Sequence, residues 1–142
     1  MNIIATTSQN LYLNCQGSQS CGFSNVYTRD DGDNFVLNCT SKPNETVYYH
    51  YGACEHMNVY SNNIKNVYVD CNYDHDCYNT DFYVNNAENI DFNFNDNKTG
   101  DLATIYAQNV SNSVNVLCNG EYSCYRTEIY CPYSVYGMFL CL

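Results

Sequence analysis

Hydrophobic and polar residues alternate in short runs along this chain, and one run keeps returning. It opens on Asn, places apolar side chains at alternate positions and closes, in most copies, on Cys. The copies are Asn10-Leu-Tyr-Leu-Asn-Cys15, Asn34-Phe-Val-Leu-Asn-Cys39, Asn66-Val-Tyr-Val-Asp-Cys71, Asn89-Ile-Asp-Phe-Asn-Phe94 and, one residue longer, Asn112-Ser-Val-Asn-Val-Leu-Cys118. Val135 to Cys141 is a weaker copy without the Asn. A two-residue period predicts half-buried strands. In the copy ending at Cys71, for example, Val67, Val69 and Cys71 share one face while Tyr68 and Asp70 share the other.

About eleven residues after each phrase comes a second alternating segment: Val26-Tyr-Thr28, Phe82-Tyr-Val84, Ile105-Tyr-Ala107 and Ile129-Tyr-Cys131, with Ile3-Ile-Ala5 in the same slot. No stretch has a convincing helical period. The phrases end at residues 15, 39, 71, 94, 118 and 141, so they are spaced by about 24, 32, 23, 24 and 23 residues, a repeat period. A unit of that length cannot bury its own apolar face. Stacked on copies of itself, it closes a continuous core and pairs each strand with its equivalent in the next coil. The prediction is an all-β single domain over 1–142: a parallel β-helix, or solenoid, of about six coils of about 23–24 residues, with an irregular insertion within 40–65. The crossover rule makes it right-handed. A β-sandwich also suits short strands, but it needs hairpins and does not require the same residue at the same phase.

Stacking turns each phase into a ladder with rungs about 4.8 Å apart. The Asn column (Asn10, Asn34, Asn66, Asn89, Asn112) is expected to bond side chain to neighbouring backbone. Tyr27, Tyr83, Tyr106 and Tyr130 form an outward aromatic ladder, with Tyr48 a further candidate. The ladder reads as plain stacking or as a contact face for sugar rings or a neighbouring fibre. Within the insertion, Asn58-Val-Tyr-Ser and Asn66-Val-Tyr-Val compete for one strand position, and the second is taken as the strand.

Ten cysteines, with only five Lys plus Arg and a net charge of −10, change the picture in two ways. Cys15-x5-Cys21, Cys71-x5-Cys77 and Cys118-x5-Cys124 lack the short spacing of zinc sites, so disulfides are expected rather than metal. The three local pairs are the natural bridges. Cys39, Cys54, Cys131 and Cys141 pair among themselves or with neighbouring protomers, and a rival scheme joins equivalent cysteines of adjacent coils. The negative charge disfavours nucleic acid, whose phosphates it repels.

Acceptor sequences for N-glycans at Asn38, Asn44, Asn97 and Asn109 agree with the cysteines on a secreted or cell-surface location. Strand parity turns Asn38 outward and Cys39 inward. Met1 to Gln9 has neither the basic start nor the apolar stretch of a signal peptide, and no run approaches membrane-spanning length.

With these ladders in view, the chain resembles the right-handed parallel β-helix superfold of the pectate-lyase-like class, in which coils of this length and a turn Asn ladder occur. The Cys phrases, above all Cys118-Asn-Gly-Glu-Tyr-Ser-Cys124-Tyr-Arg-Thr-Glu-Ile-Tyr-Cys131-Pro, are similar to repeat arrays in large secreted proteins of algae and other protists. The resemblance covers the chain outside Thr40 to Lys65. It implies an architecture and not an activity.

The strongest catalytic candidate is the acidic turn Asp70-Cys-Asn-Tyr-Asp74-His75-Asp76-Cys77 with Asp81, because β-helix lyases and hydrolases use outer-face carboxylates to hold calcium or act as acid and base. The carboxylates crowd one turn, and no matching cluster stands on the next coil. They read as a solvated turn, so no catalytic, cofactor or metal site is assigned. Asp30-Asp-Gly-Asp33 and Asp96-Asn-Lys-Thr-Gly-Asp101 read as ordinary turns, and His50, His56 and His75 as surface residues. Neither chain end carries a cap or a blunted strand, so the expectation is that copies stack head to tail or that the sequence is a stretch of a longer solenoid. The expected function is a non-enzymatic structural module of an extracellular filament, appendage or coat, a homo-oligomer without cofactors. A carbohydrate-binding or polysaccharide-cleaving β-helix, or an adhesin, is the alternative.

Overall fold

A computed structural model describes residues 1–5, 9–28, 31–41, 51–132 and 137–141, the last five by backbone alone. All regular structure among them is strand, arranged as two six-stranded parallel sheets wound through about five turns. Sheet A is β1 (Asn2–Ala5), β3 (Asn25–Thr28), β5 (Asn58–Asn62), β7 (Asp81–Asn85), β9 (Thr104–Gln108) and β11 (Glu128–Tyr130), in that spatial order. Sheet B is β2 (Asn10–Gln16), β4 (Gly32–Thr40), β6 (Ile64–Cys71), β8 (Asn89–Phe94), β10 (Ser113–Cys118) and β12 (Gly137–Cys141). The chain is therefore a disulfide-braced parallel β-solenoid.

Register follows the repeat. Asn10, Asn34, Asn66 and Asn89 align, as do Cys15, Cys39, Cys71, Phe94 and Cys118. Inward columns such as Phe35, Val67, Ile90 and Val114 are 0–1% exposed and fill the core between the sheets. A buried side chain of this kind is worth about 1.5–3 kcal/mol. At the outer coils the equivalents Ile3, Leu11 and Ile129 are only partly buried, because they lack a neighbour on one side.

The near-duplicate phrases at Asn58 and Asn66 do not compete. Asn58-Val-Tyr-Ser lies on sheet A, paired with β3 and β7, and Asn66-Val-Tyr-Val lies on sheet B. The irregular part of the insertion is thus narrower than 40–65. The extra residues fall between Cys39 and Cys54, which are 15 apart where the equivalent pairs are 6 apart. Residues 42–50, with Tyr48 and His50, lie outside the described residues.

Two corners close each coil. From sheet A to sheet B the chain turns at Asn63, Asn86 and Asn109, with φ of 56°, 57° and 54°. Asn tolerates this left-handed conformation better than most residues. The return corner is a ribbon in which alternate residues are left-handed, for example His75, Cys77 and Asn79, or Tyr122, Cys124 and Arg126. Its backbone bonds along the axis in both directions: Cys77 N donates to Ala53 O at 2.9 Å, and Asn79 N to Asp101 O at 2.9 Å. These bonds offset the roughly 1–2 kcal/mol that each left-handed residue costs.

Candidate functional site

Sheet A presents the most regular surface. Tyr27, Tyr60, Tyr83, Tyr106 and Tyr130 stack in one column with centroid spacings of 5.0, 5.0, 4.8 and 4.9 Å and interplanar angles of 3–8°. Parallel in-register pairing imposes this, since it sets equivalent side chains one strand spacing apart. Tyr60 fills the place for which Tyr48 stood as a candidate; the signal was its fixed distance of 23 residues from Tyr83. From Tyr27 to Tyr130 the facing ring surfaces cover one another, so along its length the column shows ring edges and hydroxyls. Face-on stacking of a sugar ring is blocked there. Tyr130 Oη donates to Glu128 Oε2 at 2.6 Å, and the carboxylate raises the phenol's pKa.

Amide ladders flank the aromatic one. On sheet B, Asn34 Nδ2 donates to Asn10 Oδ1 at 2.5 Å, and the series continues through Asn66 (3.0 Å), Asn89 (2.8 Å) and Asn112 (2.6 Å). The bonds run mainly from amide to amide along the axis; the expected side-chain-to-backbone bond occurs at Asn66, whose Nδ2 also donates to Asp33 O at 3.4 Å. A carboxamide both donates and accepts, so each rung satisfies the next. Further rows join Asn62, Asn85 and Asn109, and Asn63, Asn86 and Asn109.

The return ribbon carries the disulfides. Cys15–Cys21, Cys71–Cys77 and Cys118–Cys124 close six-residue spacings and Cys39–Cys54 closes the insertion, with Cα separations of 5.7–6.1 Å. No bridge joins equivalent cysteines of neighbouring coils among the described residues. Cys131 is a free thiol whose pKa burial pushes up. The sulfurs of Cys39, Cys54 and Cys77 lie close together, but all three are in disulfides, so no thiolate is left to bind metal.

The acidic turn is less solvated than its composition implies. Asp76 is 0% exposed and accepts hydrogen bonds from Ala53 N (2.7 Å), Tyr73 N (2.9 Å) and Ser41 N (3.2 Å). Ser41 and Ala53 flank residues 42–50, so one carboxylate ties both feet of the insertion to the next coil. Burial outweighs these bonds and holds its pKa above the ordinary aspartate value. Glu55, also buried, accepts from Gly52 N at 2.9 Å and is likewise raised by burial.

The other candidates disperse. Asp70 accepts from Asn93 Nδ2 at 2.7 Å in an amide row, and Asp81 lies on the outer face of sheet A. His75 Nδ1 sits 3.2 Å from Asp74 Oδ1. His56 Nδ1 is 2.7 Å from Asn79 Nδ2, and its ring stacks on Phe23. Asp101 pairs with Arg126 at 3.1 Å, and Asp96 caps its own turn by accepting from Asn97 N at 2.7 Å. A groove of about 580 Å³ runs along the Asn corner past Asp33, Lys65 and Glu88; there Lys65 and Asp33 pair at 2.6 Å. Asn97 and Asn109 are exposed and Asn38 is half-buried, whereas Asn44 lies outside the described residues.

Among family models, curated proteins and solved structures, none matches this chain. The likeness to the pectate-lyase-like superfold therefore extends to the parallel solenoid and no further.

Proposed function

We propose that the protein is a non-enzymatic structural module of an extracellular filament, appendage or coat, built by stacking coils end to end. The observation that carries this reading is axial self-complementarity. Backbone, Asn amides and Tyr rings each bond to the same kind of group one rung away, so every rung is a template for the next. β1 and β11 each have one neighbour in sheet A, and β2 and β12 each have one in sheet B. A second copy, or further coils of a longer chain, would dock through the contacts that already join the rungs. Four disulfides favour an oxidising compartment, and the exposed Asn97 and Asn109 suit covalent N-glycans.

Negative-stain micrographs and sedimentation of concentrated protein test it. Filaments or end-to-end oligomers are expected. Asn2→Asp, which would set a carboxylate in register with Glu128 of an adjoining copy, should reduce them. A monodisperse single chain at every concentration would sink the reading.

A further inference from the structure

Beside the tyrosine column a groove of about 270 Å³ runs along the solenoid axis. Tyr60, Tyr83 and Tyr106 form one wall and Asn62, Asn85 and Gln108 the other. Parallel in-register strands keep both walls straight over three rungs, with ring centroids stepping 5.0 and 4.8 Å. Three properties narrow the occupant. No residue of the lining is charged, on a chain of net charge −10, so nothing in the groove compensates an ionic ligand. The tyrosines offer it their edges, the positive rim of the ring quadrupole, which favours the face of another aromatic system. The strip is straight and spans the two steps between three rungs, the shape of two or three linked rings.

We propose that this groove binds elongated, uncharged, planar aromatic compounds, lying parallel to the axis with their faces against the edges of Tyr60, Tyr83 and Tyr106. The ligand gains apolar contact along the whole strip, while the Asn62–Asn85 amide row lines its other side. Binding needs only one chain and is independent of end-to-end stacking.

The test is a fluorescence titration of the single-chain fraction with an uncharged 2-arylbenzothiazole. A saturable rise with one or two probes per chain is expected. Tyr83→Ala, which breaks the strip at its middle rung, should weaken binding at least tenfold. Gln108→Trp, which fills the groove without altering the tyrosines, should do the same while the far-ultraviolet circular dichroism stays unchanged. Tyr12→Ser, on the other sheet, should leave the titration as it is. Absence of saturable binding, or wild-type affinity in the folded Gln108→Trp protein, would overturn the proposal. So would binding of a neutral β-linked gluco-oligosaccharide at this groove in place of the probe.

Discussion

Phe94 and Gly100 stand in the β8 coil where neighbouring coils have a disulfide. Phe94 is in register with Cys71 and Cys118, and Gly100, at φ 65°, matches the left-handed Cys77 and Cys124. A Cβ on Gly100 would lie 2.5 Å from the Phe94 ring. The ring occupies the volume of the missing bridge, and only glycine leaves room for it.

These two positions should be strongly coupled. Gly100→Cys alone is expected to cost about 2–4 kcal/mol, from the left-handed backbone and the clash with the Phe94 ring. Phe94→Cys alone should cost about 3 kcal/mol through the cavity it leaves. The double variant Phe94→Cys with Gly100→Cys should form a further disulfide, worth about 2–2.5 kcal/mol for so short a loop. Urea denaturation of all three proteins measures the cycle; additive losses with no new bridge by mass spectrometry would refute the replacement.

Cys131 should be the sole reactive thiol among the nine cysteines with described side chains. Iodoacetamide ought to label it fully in denaturant without reductant. In the folded protein it should label slowly at neutral pH and faster as pH rises, since burial raises its pKa. Peptide mapping gives the answer directly, and labelling at Cys39 or Cys54 would contradict the bridges.

Asp76 should anchor the insertion. Asp76→Asn replaces one acceptor oxygen with a donor that faces backbone N–H groups, at an expected cost of about 2–3 kcal/mol. Proteolysis should then begin between residues 41 and 53. Equal protease resistance in variant and wild type would show that the carboxylate does not anchor the insertion.

The pH dependence follows from the same burial. Asp76 and Glu55 have pKa values raised above 3.8 and 4.5, so the folded state holds their protons more tightly than the unfolded chain does. Their contribution is fully present below those ordinary values and is lost as pH rises through the higher folded-state values. In urea midpoints collected upward from pH 4, the wild type should lose this increment and Asp76→Asn should lose less of it. A parallel pair of curves would argue against Asp76 as the source.

Among the glycan acceptors, Asn97 should be occupied more fully than Asn109. The Nδ2 of Asn109 already donates to Asn85 and Asn86 at 3.1 and 3.2 Å, whereas Asn97 uses only its oxygen, accepting from Glu121 N at 2.9 Å. Glycopeptide mapping of protein secreted from eukaryotic cells measures the ratio, and a dominant Asn109 glycan would reverse the argument.

The primary structure alone determined the strand period, the coil length and the inward cysteines, because in-register stacking makes a one-dimensional repeat into a three-dimensional column; it offered the three six-residue bridges beside a rival pairing between coils, and the structure chose between them. The sequence also placed Tyr27, Tyr83, Tyr106 and Tyr130 on one outer line. Only the tertiary structure decided what the insertion had hidden: that Asn58 opens a strand of its own, that Tyr60 completes the aromatic column, and that Cys39 reaches across to Cys54. It alone buried Asp76, since three N–H donors from separate stretches of chain converge on that carboxylate. It alone turned the tyrosine faces toward one another, leaving edges for any ligand. A periodic pattern specifies which residues share a face; which atoms on that face stay free depends on contacts between coils.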